Sequence, residues 1–537
     1  IGSGLVGSEM CIRDSLRCLG LYAKDPDLGE ILYAVCVETS GLCYMPAYNG
    51  VTVSSAYIQL YTTVGNSDNV NLAVYSGAYA TVEDISAMEA EIADLRAYVG
   101  YTDGDIYGVE VDFANKKFTR LAGAVGMAGG KPFDKVRAMG GRKRCNLTDD
   151  GVVVAYQGDP AFSSSGVLTQ AATVGDTTYP VGTKVQVMVE QPKFYYKVVP
   201  MVLERTSDTA DQGWKTRKVR YYISDTPKAG FKVHPQFICN GKENDYIYKS
   251  AYEGCLWDKS AAAYIMDDAQ VADFANDMLS SIANAQPASG KTQNLTRANT
   301  RKLAQNRGHG WEQQYAAVLA GTQLLMLIEY GNFNSQNNIG AGVTNKPWLE
   351  DGVNYSELTG ATVNLGNASG AVTNANGYNV VSYRGEENLW GNIWKWEDGL
   401  NIKNPSTFAA DDGQVGVLYA ADHGFADDTG AAPYEDTGIR VPYVAWSYIS
   451  AFGYSEAYDW LFVGVEGKGN SSVPVGDCVQ NVNPGWRVAR SGASWADGAS
   501  AGVFYLHLYH SAGDRHRDFS GRSVYIPSRK KELDDAA

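Results

Sequence analysis

Tryptophan is distributed unevenly along this 537-residue chain, and that distribution constrains the fold more than any other feature. Seven of the eleven tryptophans lie between positions 390 and 495, in glycine-rich sequence such as RGEENLWGNIWKWEDGLNI at 384–402. An indole buries a large apolar area, and glycine allows tight turns between the indoles. Because no repeat of fixed period accompanies them, solenoids and propellers are excluded. Most of these indoles are therefore predicted to form the core of a loop-rich domain.

Charge and hydropathy exclude several classes of partner. The formal net charge is -15, so nucleic acid and anionic membrane surfaces would repel the chain as a whole. The most apolar stretch, 316–328, is too short to span a bilayer and is predicted to be a buried helix. We therefore expect no nucleic-acid partner and no membrane insertion.

Cysteine usage indicates reduced, buried thiols rather than a disulfide framework or a metal site. The eight cysteines include no Cys-x-x-Cys pair, and no pair has companion histidines at zinc spacing. For a chain of this length the number is small, which is typical of protein made in a cytoplasm. We predict no cofactor and no metal site built from these cysteines.

The first hundred residues divide into three segments. Residues 1–15, IGSGLVGSEMCIRDS, resemble a translated sequencing adapter and are interpreted as non-native. Residues 16–80 contain short β-like runs and are interpreted as an attachment segment. Residues 81–100 form a predicted helix with an apolar heptad seam. That helix is either an oligomerisation neck or an amphipathic helix packed on its own domain.

The remainder is predicted to be an α+β domain with a β-rich connector before it. The connector, 101–150, ends in the basic run GGRKRC at 140–145, which we expect to be a solvated loop. The block at 151–527 contains strand candidates such as KFYYKVVPMVLE and KVRYYIS. Apolar residues at helical spacing predict helices over 271–282 and 315–326. Residues 528–537 are a polar tail.

Two motifs suggest catalysis and fail on local structure. Gly498-Ala-Ser500-Ala-Gly502 matches a hydrolase nucleophile elbow, but VFYLHLYH after it alternates like a strand where a helix is required. His507, His510 and His516, with Asp514, could be arranged around a metal, but no orienting partners are evident. We therefore predict no catalytic residue and no metal ligand.

The final segment, 488–526, has an unusual composition. It contains no Lys, Glu, Gln, Met, Asn, Pro, Thr or Cys. Tyrosine and histidine supply rigid contact area, whereas Ser, Asp and Gly supply adaptable hydrogen bonds, as in antibody paratopes. A catalytic site would instead need converging acids and bases with a defined orienting group. The segment is predicted to be a recognition surface.

The same region carries a family resemblance. GNIWKWEDG at 391–399, YDWLFV at 458–463, PVGD at 474–477 and GWRVARSGASWADGASAGVFYL at 485–506 resemble the variable proteins of diversity-generating retroelements. Upstream, KFYYKVVP, RYYISD and NLTRANTRKLAQNRGHGW resemble the phage-encoded receptor-binding members, so the likeness covers most of 101–527. It implies a C-type-lectin-like domain, which is related to the formylglycine-generating-enzyme fold.

The resemblance also divides the last segment into fixed and variable positions. In that family inaccurate copying of adenines turns AAC codons into other codons ending in C, which fits the residue types absent from 488–526. The implied scaffold positions are Trp486, Arg487, Gly492, Trp495, Gly498, Gly502, Phe504, Gly521 and Arg522. The implied ligand-binding, variable positions are Ser491, Ala493, Ala496, Asp497, Ala499, Tyr505, His507, Tyr509, His510, Asp514, Arg515, His516, Arg517 and Asp518. Arg515 and Arg517 fit either set, and Ala493 stands where many members have glycine.

By this resemblance the chain is a non-enzymatic phage tail adhesin located on the virion tail. Its expected partners are a bacterial surface receptor, protein or glycan, other tail proteins and further copies of itself, with a trimer as one arrangement. The calcium signatures of sugar-binding lectins are absent, so calcium-dependent glycan binding is not implied. Alternatives are an enzyme on the same fold, a tailspike glycosidase using Glu386, Glu387 or Asp398, and a protein displayed on a bacterial surface.

Overall fold

The computed structural model describes residues 106–207, 213–410 and 412–529, and the backbone of four strands nearer the start of the chain. The chain divides into two units, 1–89 and 90–537. In the first unit β1 (Arg13–Ser15) pairs with β4 (Tyr44–Pro46), and β2 (Cys18–Asp25) pairs with β3 (Gly29–Val37), both antiparallel. The heptad helix predicted over 81–100 lies outside the described residues.

The second unit is predominantly β, in agreement with a mixed α+β class that is rich in strands. Its strands up to the middle of the chain are β5 Ile106–Asp112, β6 Lys117–Ala122, β7 Lys143–Leu147, β8 Val153–Tyr156, β9 Ala172–Val174, β10 Thr177–Tyr179, β11 Gln186–Pro192, β12 Tyr195–Arg205, β13 Trp214–Ser224, β14 Lys232–Val233, β15 Ile238–Cys239, β16 Lys242–Glu243, β17 Tyr246–Ser250, β18 Cys255–Asp258, β19 Ala263–Ile265 and β20 Met278–Ser280. The later strands are β21 Trp311–Gln313, β22 Gly370–Thr373, β23 Asn379–Tyr383, β24 Glu386–Glu387, β25 Trp394–Asn404, β26 Val415–Ala420, β27 Glu435–Pro442, β28 Val444–Tyr448, β29 Ala451–Tyr454, β30 Gly464–Glu466, β31 Cys478–Asn481, β32 Gly485–Ser491, β33 Leu506–His507, β34 Phe519–Ser520 and β35 Ser523–Tyr525.

Three larger sheets organise these strands. One has the order β21-β35-β17-β11-β7-β8, and a second has the order β14-β12-β13-β29-β30, with β5 on β13 and β6 on β5. The third has the order β27-β26-β25-β32-β33-β31-β28, with β34 also paired to β25. Because β5 and β7 pair within these sheets, the predicted connector over 101–150 is part of the same unit as the block that follows it.

Helices are few and short in the described part of the chain, with one exception. They are α1 Arg137–Gly140, α2 Arg297–Gln305, α3 Ala316–Tyr330 and α4 Ser335–Asn338. The helix predicted over 315–326 is confirmed as α3, which is apolar on all sides and buried over almost its whole length. It contacts β5 and β13 of one sheet and β25 of another, so it lies at the centre of the core. No helix within the described residues is both long enough and apolar enough to cross a bilayer.

The helix predicted over 271–282 is wrong. The structure has turns over this segment, followed by β20. The Asp273 carboxylate accepts from the Ala275 backbone N–H, and Asp277 accepts from the Asp273 N–H. Short acidic side chains that bind nearby backbone donors compete with helical hydrogen bonds, and here they prevail over the apolar spacing.

The solvated loop predicted for 140–145 is also wrong. Arg142 and Arg144 are buried, whereas Lys143 between them is exposed, because the run enters strand β7 and alternates between its two sides. Arg142 pairs with the Glu386 carboxylate, and Arg144 donates to the Gly385 and Thr362 carbonyls. The basic run therefore ties β7 to the chain around β24.

A bulge in β25 supports the centre of the third sheet. Its register on β32 shifts between Glu397 and Asn401, and the backbone at Asp398 bridges to Tyr315, just before α3. The Asp398 carboxylate accepts from Arg301 Nε at 2.8 Å and Nη2 at 2.6 Å, and Arg297 Nε lies 3.6 Å away. Both arginines belong to α2, so this buried cluster fixes α2 against β25.

The described cysteines agree with the prediction of reduced thiols. Cys145, Cys239, Cys255 and Cys478 are each buried and free. Burial raises the pKa of the Cys255 thiol to about 12, which keeps it protonated and unreactive.

Replacing Asp398 with alanine is expected to destabilise the fold strongly. The substitution leaves Arg297 and Arg301 with Asp427 as their remaining shared carboxylate, and removing one partner of a buried ion pair costs about 3–5 kcal/mol. The free energy of unfolding, from urea or guanidinium titration, measures the loss. The matched control is Asp245→Ala, which removes an exposed carboxylate paired to Lys193 and should cost under about 1 kcal/mol. Equal losses in the two variants would contradict the assignment.

Candidate ligand-binding surface

The C-terminal segment wraps around the start of β25. Strand β32 pairs antiparallel to β25, with Lys395 opposite Ser491, and β34 pairs parallel to it on the other side, with Trp394 opposite Phe519. The chain then continues as β35 into the sheet that contains β17. The residues between β32 and β34 are therefore held at both ends by strands.

The structure distributes the predicted variable residues between the core and the surface. Those that are exposed or partly exposed are Ala496, Asp497, Ala499, Tyr509, Asp514, Arg515 and His516. Those that are buried are Ser491, Ala493, Tyr505, His507, His510, Arg517 and Asp518. Tyr505 is only 1% exposed and packs edge-on against Trp394, at 4.8 Å between ring centroids, so it belongs to the core.

The seven open positions, which lie in the loops before β33 and before β34, are here called the variable face. Tyr509 packs on His510 at 4.9 Å, and His510 packs on His516 at 5.1 Å, both between ring centroids. His516 Nδ1 lies 3.8 Å from a Glu350 carboxylate oxygen, in the loop that carries Trp348. The Trp348 indole stacks on that of Trp495, with ring centroids 6.1 Å apart, and Trp495 immediately precedes Ala496 in the chain.

Two exposed tryptophans beside this face were missed in the sequence. Trp348 is 54% exposed and Trp446, on the edge strand β28, is 51% exposed. The Trp446 side chain lies next to that of Tyr505, which is buried under the variable face. Tryptophan clustering predicted a core for most of these indoles, and five of the seven between 390 and 495 are buried. The sequence pattern did not identify Trp446 as the exposed indole, because its position on an edge strand depends on the order of the strands in the sheet.

The predicted scaffold residues lie mainly beneath the variable face. A Cβ atom on Gly502 would lie 2.0 Å from an Asp477 carboxylate oxygen, so only glycine fits there. Gly492 adopts φ +87°, and a Cβ on it would lie 2.4 Å from the Leu389 carbonyl oxygen. Trp495, Phe504, Gly521 and Arg522 are buried, whereas Trp486, Arg487 and Gly498 are partly exposed.

Ala493 has a backbone that suits glycine. It is fully buried and adopts φ +74°, the left-handed region that a side chain with a Cβ rarely occupies. This agrees with its standing where the resembled family often has glycine. Its methyl group is not available to a ligand.

Three histidines lie in a row, with His507 and His510 buried and His516 on the variable face. His507 and His510 stack with ring centroids 5.6 Å apart, and His516 follows at 5.1 Å from His510. Burial, with the neighbouring Arg490 adding to it, lowers the pKa of both His507 and His510, so these two rings are neutral at physiological pH. His510 Nδ1 and the Asp514 carboxylate lie 2.9 Å apart. No group of three or more His, Cys, Asp or Glu residues within the described ranges is arranged to hold a metal ion.

The motifs that suggested catalysis have structural roles. Ser500 is buried, and its hydroxyl donates to the Asp497 carbonyl 2.6 Å away. Glu386 accepts from Arg142, and Glu387 accepts from the Thr362 hydroxyl at 2.6 Å. With Asp398 held by Arg301, all three carboxylates considered for glycoside hydrolysis are buried and hydrogen-bonded within the fold.

Known proteins offer only distant comparisons. No protein-family model matches the chain, and no curated protein sequence matches it. Solved structures that are similar include the Major Tropism Determinant P3c variant, at 10% identity, 74% of this chain, 72% of that chain and a TM-score of 0.24. The M1 variant has 11% identity, the same coverages and a TM-score of 0.25, and the I1 variant has 12% identity, coverages of 74% and 73% and a TM-score of 0.24. These values are too low to support fold or function, which rest on the residues of this chain.

Glu397 is expected to make stability depend on pH. Burial raises the pKa of this carboxyl group from 4.5 to about 7, although Ser491 and Gln314 donate hydrogen bonds to it. Between these values the folded state binds a proton that the unfolded state has lost, so stability falls as pH rises from 4.5 to 7 and then levels off.

The measurement compares the unfolding free energy of the parent with that of Glu397→Gln between pH 4.5 and pH 8. The glutamine cannot titrate, so the parent should lose on the order of 3 kcal/mol relative to the variant over this range. A difference that stays constant with pH, or that changes in the opposite direction, would contradict the raised pKa.

Proposed function

We propose that this protein is a non-enzymatic adhesin that binds a receptor on a bacterial surface through its variable face. In the fuller form of the proposal it is a phage tail protein whose residues 488–526 are diversified by a retroelement. Its location is then the virion tail, and its remaining partners are other tail proteins. The domain that carries the face is C-type-lectin-like, and the adhesin is a homo-oligomer, with a trimer as one arrangement.

The observation that carries the proposal is the separation of open and buried positions in one short segment. Open Tyr509 and His516 both pack on His510, and His516 lies near Glu350 in the loop with Trp348, whereas Trp495, Phe504 and Arg522 are buried. A recognition surface needs a rigid floor and side chains that can change without refolding. Tyrosine, histidine, aspartate and arginine on this floor supply contact area and hydrogen bonds of the kind found in paratopes.

The carboxylates that an enzyme hypothesis would use support the non-enzymatic proposal. A glycosidase needs two carboxylates that can reach the same glycosidic bond. Glu386, Glu387 and Asp398 are instead buried, and each accepts hydrogen bonds from arginine, threonine or the backbone. These contacts explain the three residues without a catalytic role.

Loss of three open side chains is expected to abolish cell binding while preserving the fold. The variant replaces Tyr509, Arg515 and His516 with alanine, and the control replaces Lys117, Thr119 and Thr177, which are exposed in hairpins β5–β6 and β9–β10. Labelled full-length protein is incubated with a panel of bacterial strains, and cell-bound fluorescence is measured. Binding by the first variant should fall at least about tenfold, because a few aromatic and arginine contacts dominate an interface.

Thermal or denaturant unfolding accompanies the binding assay. The stability of both variants should stay within about 1 kcal/mol of the parent, as expected for surface substitutions. Parental binding by the variable-face variant, or no binding of any strain by the parent, would contradict the proposal.

The retroelement part of the proposal has its own test in the flanking DNA. A near-copy of the codons for 488–526, differing mainly at adenines and lying beside a reverse-transcriptase gene, is expected. The codons for the open residues should differ from that copy more often than those for Trp495 and Phe504. An intact locus without such a copy would contradict diversification and would leave the adhesin proposal standing.

A further inference from the structure

Arg490, at the end of β32, lies in an environment that is unusual for a buried arginine. It is 7% exposed, and its guanidinium is held between two rings, with Cζ 4.0 Å from the centroid of Trp394 and 4.2 Å from that of Phe519. Its Nε lies 3.4 Å from His507 Nδ1, and His507 Nε2 is 2.8 Å from the Gln480 side-chain oxygen. Because His507 is neutral, it donates to Gln480 through Nε2 and accepts from Arg490 through Nδ1.

The charge of Arg490 is not paired within the described part of the chain. No Asp or Glu oxygen there lies within 4.0 Å of its nitrogens, and neither terminal amine has a hydrogen-bond acceptor. Buried charges are ordinarily paired because desolvation is costly. Two other buried arginines have partners for their terminal amines: Arg301 binds Asp398, and Arg522 donates to the Glu387 and Ser250 carbonyls.

A second buried polar group without a hydrogen-bond partner lies near Arg490. Asp518 is 3% exposed, its Oδ1 has no hydrogen-bond partner, and Arg490 is the cation that acts most strongly on it. Burial raises the pKa of Asp518 to about 7, against the effect of Arg490. At neutral pH this carboxyl group therefore only partly offsets the charge of Arg490.

We propose that Arg490 and Asp518 form a subsite of the variable face for a sugar acid, in which Arg490 binds the carboxylate and Asp518 accepts from a ring hydroxyl. This inference rests on the proposed adhesin function and names the ligand class. The two aromatic rings hold the guanidinium plane, so its terminal amines are oriented before binding, and a planar fork matches a carboxylate.

The pair of groups favours a sugar acid over an acidic peptide. In an acidic peptide the carboxylate lies at the end of a flexible side chain, so a backbone N–H donor for Asp518 would not be held at a fixed distance from it. A uronic acid carries a carboxylate and hydroxyl donors on one ring, so it can satisfy both groups at once. Exposed Trp446, which lies next to Tyr505, offers a flat apolar surface for the ring.

The test measures binding of the full-length protein to polygalacturonate, to its methyl ester and to poly-L-glutamate. Polygalacturonate should bind, whereas the methyl ester, which lacks the charge, and poly-L-glutamate should bind at least about tenfold more weakly. Free galacturonate should compete with polygalacturonate, and galactose should not. This arm needs no substitution, so it does not depend on the folding of a variant.

Substitutions then identify the residues. Arg490→Gln should weaken polygalacturonate binding by about ten- to a hundredfold, the effect of losing a charge-assisted bidentate contact. Arg490→Lys should also weaken it, because an ammonium lacks the fork, and Asp518→Asn should weaken it less. The matched control is Arg137→Gln, at an exposed arginine outside the variable face, which should change the affinity by less than about threefold.

The outcomes separate this inference from the adhesin proposal. Equal binding of polygalacturonate by the parent and Arg490→Gln, equal binding of poly-L-glutamate, or no polygalacturonate binding by a parent that binds cells would each overturn the sugar-acid subsite. Loss of cell binding in the Tyr509, Arg515 and His516 variant would still uphold the adhesin. Retained cell binding in that variant would overturn the adhesin proposal itself.

Discussion

The shared ion cluster of Asp398 with Arg297 and Arg301 is the interaction on which the C-terminal half of the structure depends. It sits at the bulge of β25, where the register on β32 shifts, and it joins that strand to α2. A buried carboxylate with two guanidinium partners specifies one position for each element, because any slip leaves a charge unpaired. Strands β32 and β34 then lie on either side of β25. The segment between them is irregular, but these two strands fix both of its ends.

The variable face follows from that placement. Residues with inward side chains, such as Tyr505 and Phe504, pack into the core, and those in the loops before β33 and before β34 remain open. The segment is rich in Ser, Ala, Asp, Tyr and His. Because its open residues do not pack in the core, other side chains at these positions would leave its fold unchanged. The division into inward and open residues also explains why half of the positions that the family resemblance marks as variable are buried here. Those positions shape the floor and the orientation of Arg490.

Sequence reasoning reached the strand-rich α+β class and the central helix α3, whereas the location of the recognition segment stays a prediction. It succeeded where a signal is local, as with the apolar residues on every side of 316–330. It failed over 271–282, where Asp273 and Asp277 bind backbone donors, and over 140–145, where a basic run is a buried strand. The partners of Arg142 and Arg144 lie more than two hundred residues away along the chain, so no local sequence pattern predicts that these arginines are buried. The exposed Trp348 and the unpaired Arg490 are likewise consequences of tertiary placement.

The central claim is that the segment 488–526 combines a fixed floor with an open, replaceable face. Saturation substitution of every position in this segment, with folding scored by protease resistance and binding scored on bacterial cells, tests it most directly. The account predicts that Ala496, Asp497, Ala499, Tyr509, Asp514, Arg515 and His516 tolerate most substitutions for folding and change binding. It also predicts that Ser491, Ala493, Tyr505 and Phe504 tolerate few. Free substitution at Tyr505 and Ser491 without loss of folding, or loss of folding at the open positions, would contradict it.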